Sequence, residues 1–207
     1  MGLLPGKNNE TINEQTASVT LSNYCISETE VTQALWNAVM DSNPSINVGD
    51  DKPVENVSWN DCQEFIRKLN QITGKNFRLP TEAEWEFAAR GGNDGESWIY
   101  SGSNEINDVA WYVGNSNNST SPVKRKKPNN LGLYDMSGNV YEWCNDWFGD
   151  YDYNPQTDPQ GPSSGKNRVV RGGGYQNSEG QCHVTKRQQG DPEKSSSSVG
   201  FRLALSE

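Results

Sequence analysis

Four cysteines, one histidine and an acidic pair flanking a glycine are the side chains of this 207-residue sequence whose types could do chemistry. Cys25, Cys62, Cys144 and Cys182 are widely scattered with no CxxC pair, so the local spacing of a structural zinc site is absent. They allow two disulfides or four free thiols, and a chain of this length does not need staples to hold a core. His183 is the single histidine, which excludes any metal site built from several imidazoles. A Ser-His-Asp triad would depend on His183 as well, and no GxSxG turn is present to offer a serine. Asp135, Asn139 and Glu142 differ. Two carboxylates with a Gly138 turn between them can gather side-chain and main-chain oxygens around Ca²⁺. The alternative for these residues is an Asx-type turn with Glu142 solvated or salt-bridged.

The elements that must position these groups are those of a loop-rich α+β chain. A mean hydropathy of -0.89 is low, yet 7 Trp, 8 Tyr and 5 Phe supply large apolar bodies for a core. The 20 Gly and 10 Pro punctuate the chain too often for long helices over most of it, and residues 1–207 read as one folding unit. Val31, Leu35 and Val39 with Trp36 predict a helix over Glu30 to Met40. Ser58 with Asp61 predicts a capped helix carrying Cys62, Phe65, Ile66 and Leu69 and stopping at Gly74. Thr81 with Glu84 is a capping box, entered from a short strand at Phe77-Arg78-Leu79 and ended by Gly91-Gly92. Residues 93–166 read as irregular with a few short strands. Three β runs follow, at Arg168–Arg171, Cys182–Thr185 and Val199–Leu205.

Charge narrows the partners. Lys+Arg 18 against Asp+Glu 27 leaves a net charge of -9, which opposes nucleic acid and anionic lipid. The cationic run Lys124 to Lys127, between Pro122 and Pro128, reads as a solvated loop. No stretch approaches the roughly 20 apolar residues of a membrane span, so direct membrane insertion is not expected. No basic-then-apolar leader is seen, and Met1-Gly2-Leu3-Leu4-Pro5 reads as the interior of a strand and turn, as in a trimmed piece of an exported protein.

Six segments occur in an order that carries a specific resemblance: Glu30-Val31-Thr32, Pro53 to Trp59, Arg78 to Glu86, Gly132 to Trp143, Arg171-Gly172-Gly173 and Gly200-Phe201-Arg202. Over nearly the whole chain they resemble the formylglycine-generating-enzyme (sulfatase-modifying-factor) family. The resemblance implies a C-type-lectin-like fold of the α+β class with little regular secondary structure. It also implies a structural calcium held by the side chains of Asp135 and Glu142 and the carbonyls of Gly138 and Val140. Authentic members oxidise a sulfatase cysteine with oxygen and Cu(I), the copper held by two thiolates just after an Arg-Gly-Gly-like turn. Asn177 stands at the first of those positions and Cys182 at the second. Asn is a hard, neutral ligand and does not replace a thiolate, so copper is not expected. On a strand, Cys182 and His183 would point to opposite faces and could not share one metal. Trp59, Trp85, Trp111, Trp143 and Trp147 lie mostly in the shared segments and read as core rather than as a sugar-stacking platform.

Between Gly174 and Ser198 polar residues crowd among framework positions. That arrangement resembles the variable proteins of diversity-generating retroelements, whose lectin-fold domain ends in a hypervariable region closed by a Gly-Phe-Arg-Leu-like tail. A rigid scaffold presenting adaptable polar side chains suits recognition of a protein or glycan ligand. The expected face spans about residues 172–198, with Tyr175 as anchor and Asn177, Glu179, Gln181, His183, Lys186, Gln188 and Asp191 as polar contacts. Exported or cell-surface placement is expected, with the cytoplasm as the alternative. The competing readings are an oxidase or sulfatase-maturation accessory using Cys182, and a structural domain of a surface assembly.

Overall fold

Threonine and serine caps set the helical framework of the computed structural model, which describes residues 3–6 and 18–206. α1 (Gln33–Asn37) starts at Thr32, whose hydroxyl accepts the Leu35 N–H at 3.3 Å. α2 (Trp59–Thr73) starts in a reciprocal box in which the Ser58 hydroxyl accepts the Asp61 N–H and the Asp61 carboxylate accepts the Ser58 N–H. It ends at Gly74 in the left-handed conformation, φ 67°, where glycine carries no Cβ penalty. α3 (Glu82–Ala89) has the same box between Thr81 and Glu84. α4 (Ile106–Val109) is a single turn within the long irregular stretch.

α1 is shorter than its apolar spacing predicts. The backbone before it is committed elsewhere: the Val31 N–H donates to the Phe201 carbonyl at 2.8 Å and Thr32 bridges Pro53. Only the Trp36 turn continues, with the Met40 N–H on the Trp36 carbonyl at 2.8 Å.

β1 (Leu3–Gly6), β3 (Tyr24–Ser27), β10 (Ala204–Ser206) and β4 (Phe77–Arg78) form one antiparallel sheet in that order, so the first and last strands share a sheet. Leu3 to Pro5 thus do lie in a strand, while Met1 and Gly2 fall outside the described residues. β2 (Val19–Thr20) and β6 (Gln156–Thr157) make a short parallel pair. A second four-stranded sheet has the order β8 (Arg187–Gly190), β7 (Arg168–Arg171), β5 (Tyr141–Trp147), β9 (Val199–Gly200). β5 is the longest strand described, and it sits where the sequence shows no alternation because both of its faces are buried: its first four residues are all buried. The carboxyl-terminal apolar run does not make one strand. It splits between β9 and β10, which belong to different sheets.

A second correction concerns Cys182–Thr185, which is not a strand. The Cys182 N–H donates to the Glu179 carbonyl at 2.9 Å and the Lys186 N–H to the His183 carbonyl at 3.0 Å, so the chain winds through a 3₁₀ turn at Glu179–Gln181 and a further turn before it extends. The argument that Cys182 and His183 face opposite ways along a strand therefore lapses. All four cysteines are free thiols.

Two apolar clusters flank the β5–β7 pair. Trp36, Phe65, Phe201 and Leu203 gather with Trp143 and Val170 on one face, where Trp36 stacks on Phe65 with ring centroids 5.2 Å apart. Trp85, Met136 and Tyr24 gather with Cys144 and Val169 on the other. A smaller cluster holds Tyr100, Ile106, Val109, Tyr112 and Cys182.

Candidate functional site

The register of this second four-stranded sheet sorts charges to one face. Glu142 pairs with Arg171 and Arg171 with Arg187 across the three strands, and cross-strand partners share a face. That face meets α3. Arg202 donates to both oxygens of Glu142, from Nε at 2.6 Å and Nη2 at 2.7 Å, and the Trp85 indole N–H donates to the same carboxylate at 2.6 Å. Arg171 pairs with Glu86 and lies 3.6 Å from Glu82, which also takes a bidentate pair from Arg187 at 2.6 and 2.7 Å. Arg171, Arg202 and Glu142 are fully buried. Buried charges persist only when paired and hydrogen-bonded, and this network clamps α3 onto the sheet from which the polar segment hangs. The opposite row, Trp143, Val170 and Gln188, begins in the core and ends at the exposed edge strand β8.

On this framework the expected contact residues take different places. Tyr175 is 2% exposed. Its N–H donates to the Asn139 carbonyl, its carbonyl accepts the Ser116 hydroxyl at 2.8 Å, and its own hydroxyl accepts from Asn47 at 3.3 Å. It pins the segment from within, so its expected role as a ligand anchor is corrected: an aromatic so fully packed presents no surface. Asn177 is half-buried and its Oδ1 has no partner. Glu179 is exposed, Gln181 accepts from the Tyr141 hydroxyl at 3.2 Å, and His183 meets Tyr100 edge to face at 5.3 Å. Lys186 and Gln188 are exposed, and Asp191 is half-buried with Lys194 at 3.5 Å. Gln176 and Asn118, bonded at 3.2 Å, join the same surface. Asn118 is 58 residues away in sequence, and no motif marks it.

Cys182 is fully buried among Tyr100, Tyr112 and Ile106. Burial, with the Glu179 carboxylate adding to it, pushes its thiol up to about 12. A Cu(I) site needs thiolate, and this burial favours the neutral thiol.

The calcium set fits in part. Glu142 is held in the arginine pair just described. Asp135, in the left-handed region at φ 57°, accepts the Lys124 N–H at 2.9 Å through Oδ2, while its buried Oδ1 has no partner. Burial raises its carboxyl to about 6. Glu30 lies close by, fully buried, with one unpartnered oxygen. Burial, followed by the Asp135 charge, drives it well above the usual carboxylate range.

Residues 3–207 match the sulfatase-modifying factor enzyme 1-like domain. The chain is 35% identical over 208 residues to the chaperone protein LppX of Paenibacillus barcinonensis, covering 76% of this chain and 71% of that one. It is 41% identical over 170 residues to the formylglycine-generating enzyme of Streptomyces coelicolor, covering 73% of this chain and about half, 52%, of that enzyme. Among solved structures, variable protein 1 of Treponema denticola superposes with a TM-score of 0.87 at 38% identity over 98% of this chain and 91% of that one. The architecture is the C-type-lectin-like fold expected from the sequence.

Proposed function

The chain belongs to the sulfatase-modifying factor enzyme 1-like domain family, and from that premise we propose that it is a non-catalytic ligand-binding module of the variable-protein type, exported or displayed at a cell surface. One observation carries the reading. Gln176, Ser178, Glu179, Lys186 and Gln188 are exposed, while Tyr175, Cys182 and Val184 between them are buried. Exposed side chains set on so fixed a framework can be exchanged without disturbing the core, which is what a recognition surface for a protein or glycan requires. The likeness to the Treponema variable protein supports the same reading. The state of Cys182 supports its non-catalytic half.

Cu(I) titration of the reduced protein against a chromophoric chelator is the direct test. No specific binding beyond that of a Cys182→Ser variant is expected. Stoichiometric binding lost in that variant would return the chain to the oxidase class.

Calcium as a structural ion at Asp135, Gly138, Val140 and Glu142 is part of the proposal, supported by the unpartnered Asp135 Oδ1. Its contribution would be charge neutralisation of a buried carboxylate. Thermal unfolding should occur several degrees higher in Ca²⁺ than in EGTA, and Asp135→Asn, which keeps the left-handed turn accessible, should abolish the difference. Equal midpoints for the parent protein would remove calcium from the proposal.

A further inference from the structure

We infer that the ligand of this face is a protein surface that carries apolar and basic side chains, rather than a glycan. The inference rests on the binding-module reading above and on aliphatic framework side chains that the fold pins beside the polar segment. Val113 is 60% and Ile99 47% exposed. The Val113 N–H donates to the Asn177 carbonyl at 3.0 Å, and the Val184 N–H donates to the Ile99 carbonyl at 3.0 Å. The two side chains therefore bracket residues 177–184 through backbone bonds that do not depend on which polar residues stand between them.

A second apolar edge is tied to the same surface. Ile46 and Val48, 66% and 75% exposed, flank Asn47. Its amide donates to the Tyr175 hydroxyl, and its Oδ1 accepts the Ser119 hydroxyl at 2.9 Å, joining this loop to the one that carries Val113. Aliphatic side chains set among hydrogen-bonding groups are the composition of a protein interface.

A sugar platform needs a free aromatic face, and the tryptophans do not offer one here. All seven are buried or half-buried. Trp59 and Trp147 sandwich the Arg168 guanidinium at 3.9 and 3.5 Å, and Lys126 covers Trp111 at 4.2 Å. The sign of the partner follows from the net charge of the chain. Glu179, within the segment that Ile99 and Val113 bracket, is exposed, as is Glu105, on a chain whose net charge is -9. Complementary potential then favours a basic partner.

Amide NMR of the full chain with defined probes tests this. The probes are the capped peptides acetyl-Lys-Leu-Lys-amide, acetyl-Lys-Ser-Lys-amide and acetyl-Glu-Leu-Glu-amide, and N-acetylglucosamine. The Lys-Leu-Lys peptide should shift the amides of Ile99, Val113 and residues 176–185 about threefold more than either other peptide at equal concentration, the worth of part-burying one leucine. The Ile99→Ser, Val113→Ser double variant, altered only at exposed positions, should lose that advantage. N-acetylglucosamine shifting these amides more than the Lys-Leu-Lys peptide, or the serine peptide matching it, would overturn the protein assignment and leave the binding module standing. No shift at residues 176–185 with any probe would overturn both.

Discussion

Arg202→Met should lower the unfolding free energy by about 3–5 kcal/mol, because it strands a fully buried carboxylate. Glu142 and Arg202 are each 0% exposed, and the guanidinium closes on both carboxylate oxygens. It also bonds the carbonyls of Ser27 and Tyr134 at 2.9 Å each, so the same substitution leaves two backbone acceptors unpaired. For a chain of this length each kcal/mol moves the thermal midpoint by about 2–4 °C, and a fall of roughly 6–20 °C follows from the figure above. Chemical denaturation would measure it. The Glu142→Gln, Arg202→Met double variant should recover part of the loss, since the neutral amide keeps an acceptor for Trp85 and position 142 no longer holds a stranded charge. A loss under about 1 kcal/mol, the range of an exposed pair, would mean that Glu142 is held by something other than Arg202.

Gly138→Ala should be comparably damaging for a reason confined to the backbone. Gly138 has φ 80°, and a Cβ placed there would lie 2.3 Å from the Trp111 carbonyl oxygen and 2.8 Å from the Trp111 nitrogen. The left-handed conformation by itself costs an alanine about 1–2 kcal/mol. The clash comes on top, and neither partner atom is the movable end of a side chain. A total above about 3 kcal/mol is expected, in the range that marks backbone strain. Gly180→Ala is the control. It has no heavy atom within 4 Å of an added Cβ, and its effect should stay within about 0.5 kcal/mol. Equal effects for the two would show that the Gly138 turn yields freely.

The helix starts were legible because a capping box is complete within four residues. Ser58 with Asp61 and Thr81 with Glu84 need nothing from the rest of the chain to satisfy the first orphan N–H groups. The same locality explains Gly74 as a stop. β5 was hidden for the opposite reason. A strand covered on both faces carries no period-two pattern, and its neighbours β7 and β9 come from far along the chain.

What the sequence determined by itself, then, was the family pattern, the caps and the acidic balance, each a matter of residue type at a position. Tertiary structure alone decided which residues are surface and which are supports. Tyr175 looked like an anchor because it is aromatic amid polar neighbours, yet Asn47, Ser116 and Asn139 close around it from three other segments. Val113 and Ile99 lie in the stretch read as irregular, and only backbone bonds with residues 177 and 184 place them beside the polar segment. Side-chain chemistry is local and can be read along a chain. Burial is a property of the whole packing, set by contacts between segments that the linear order does not bring together.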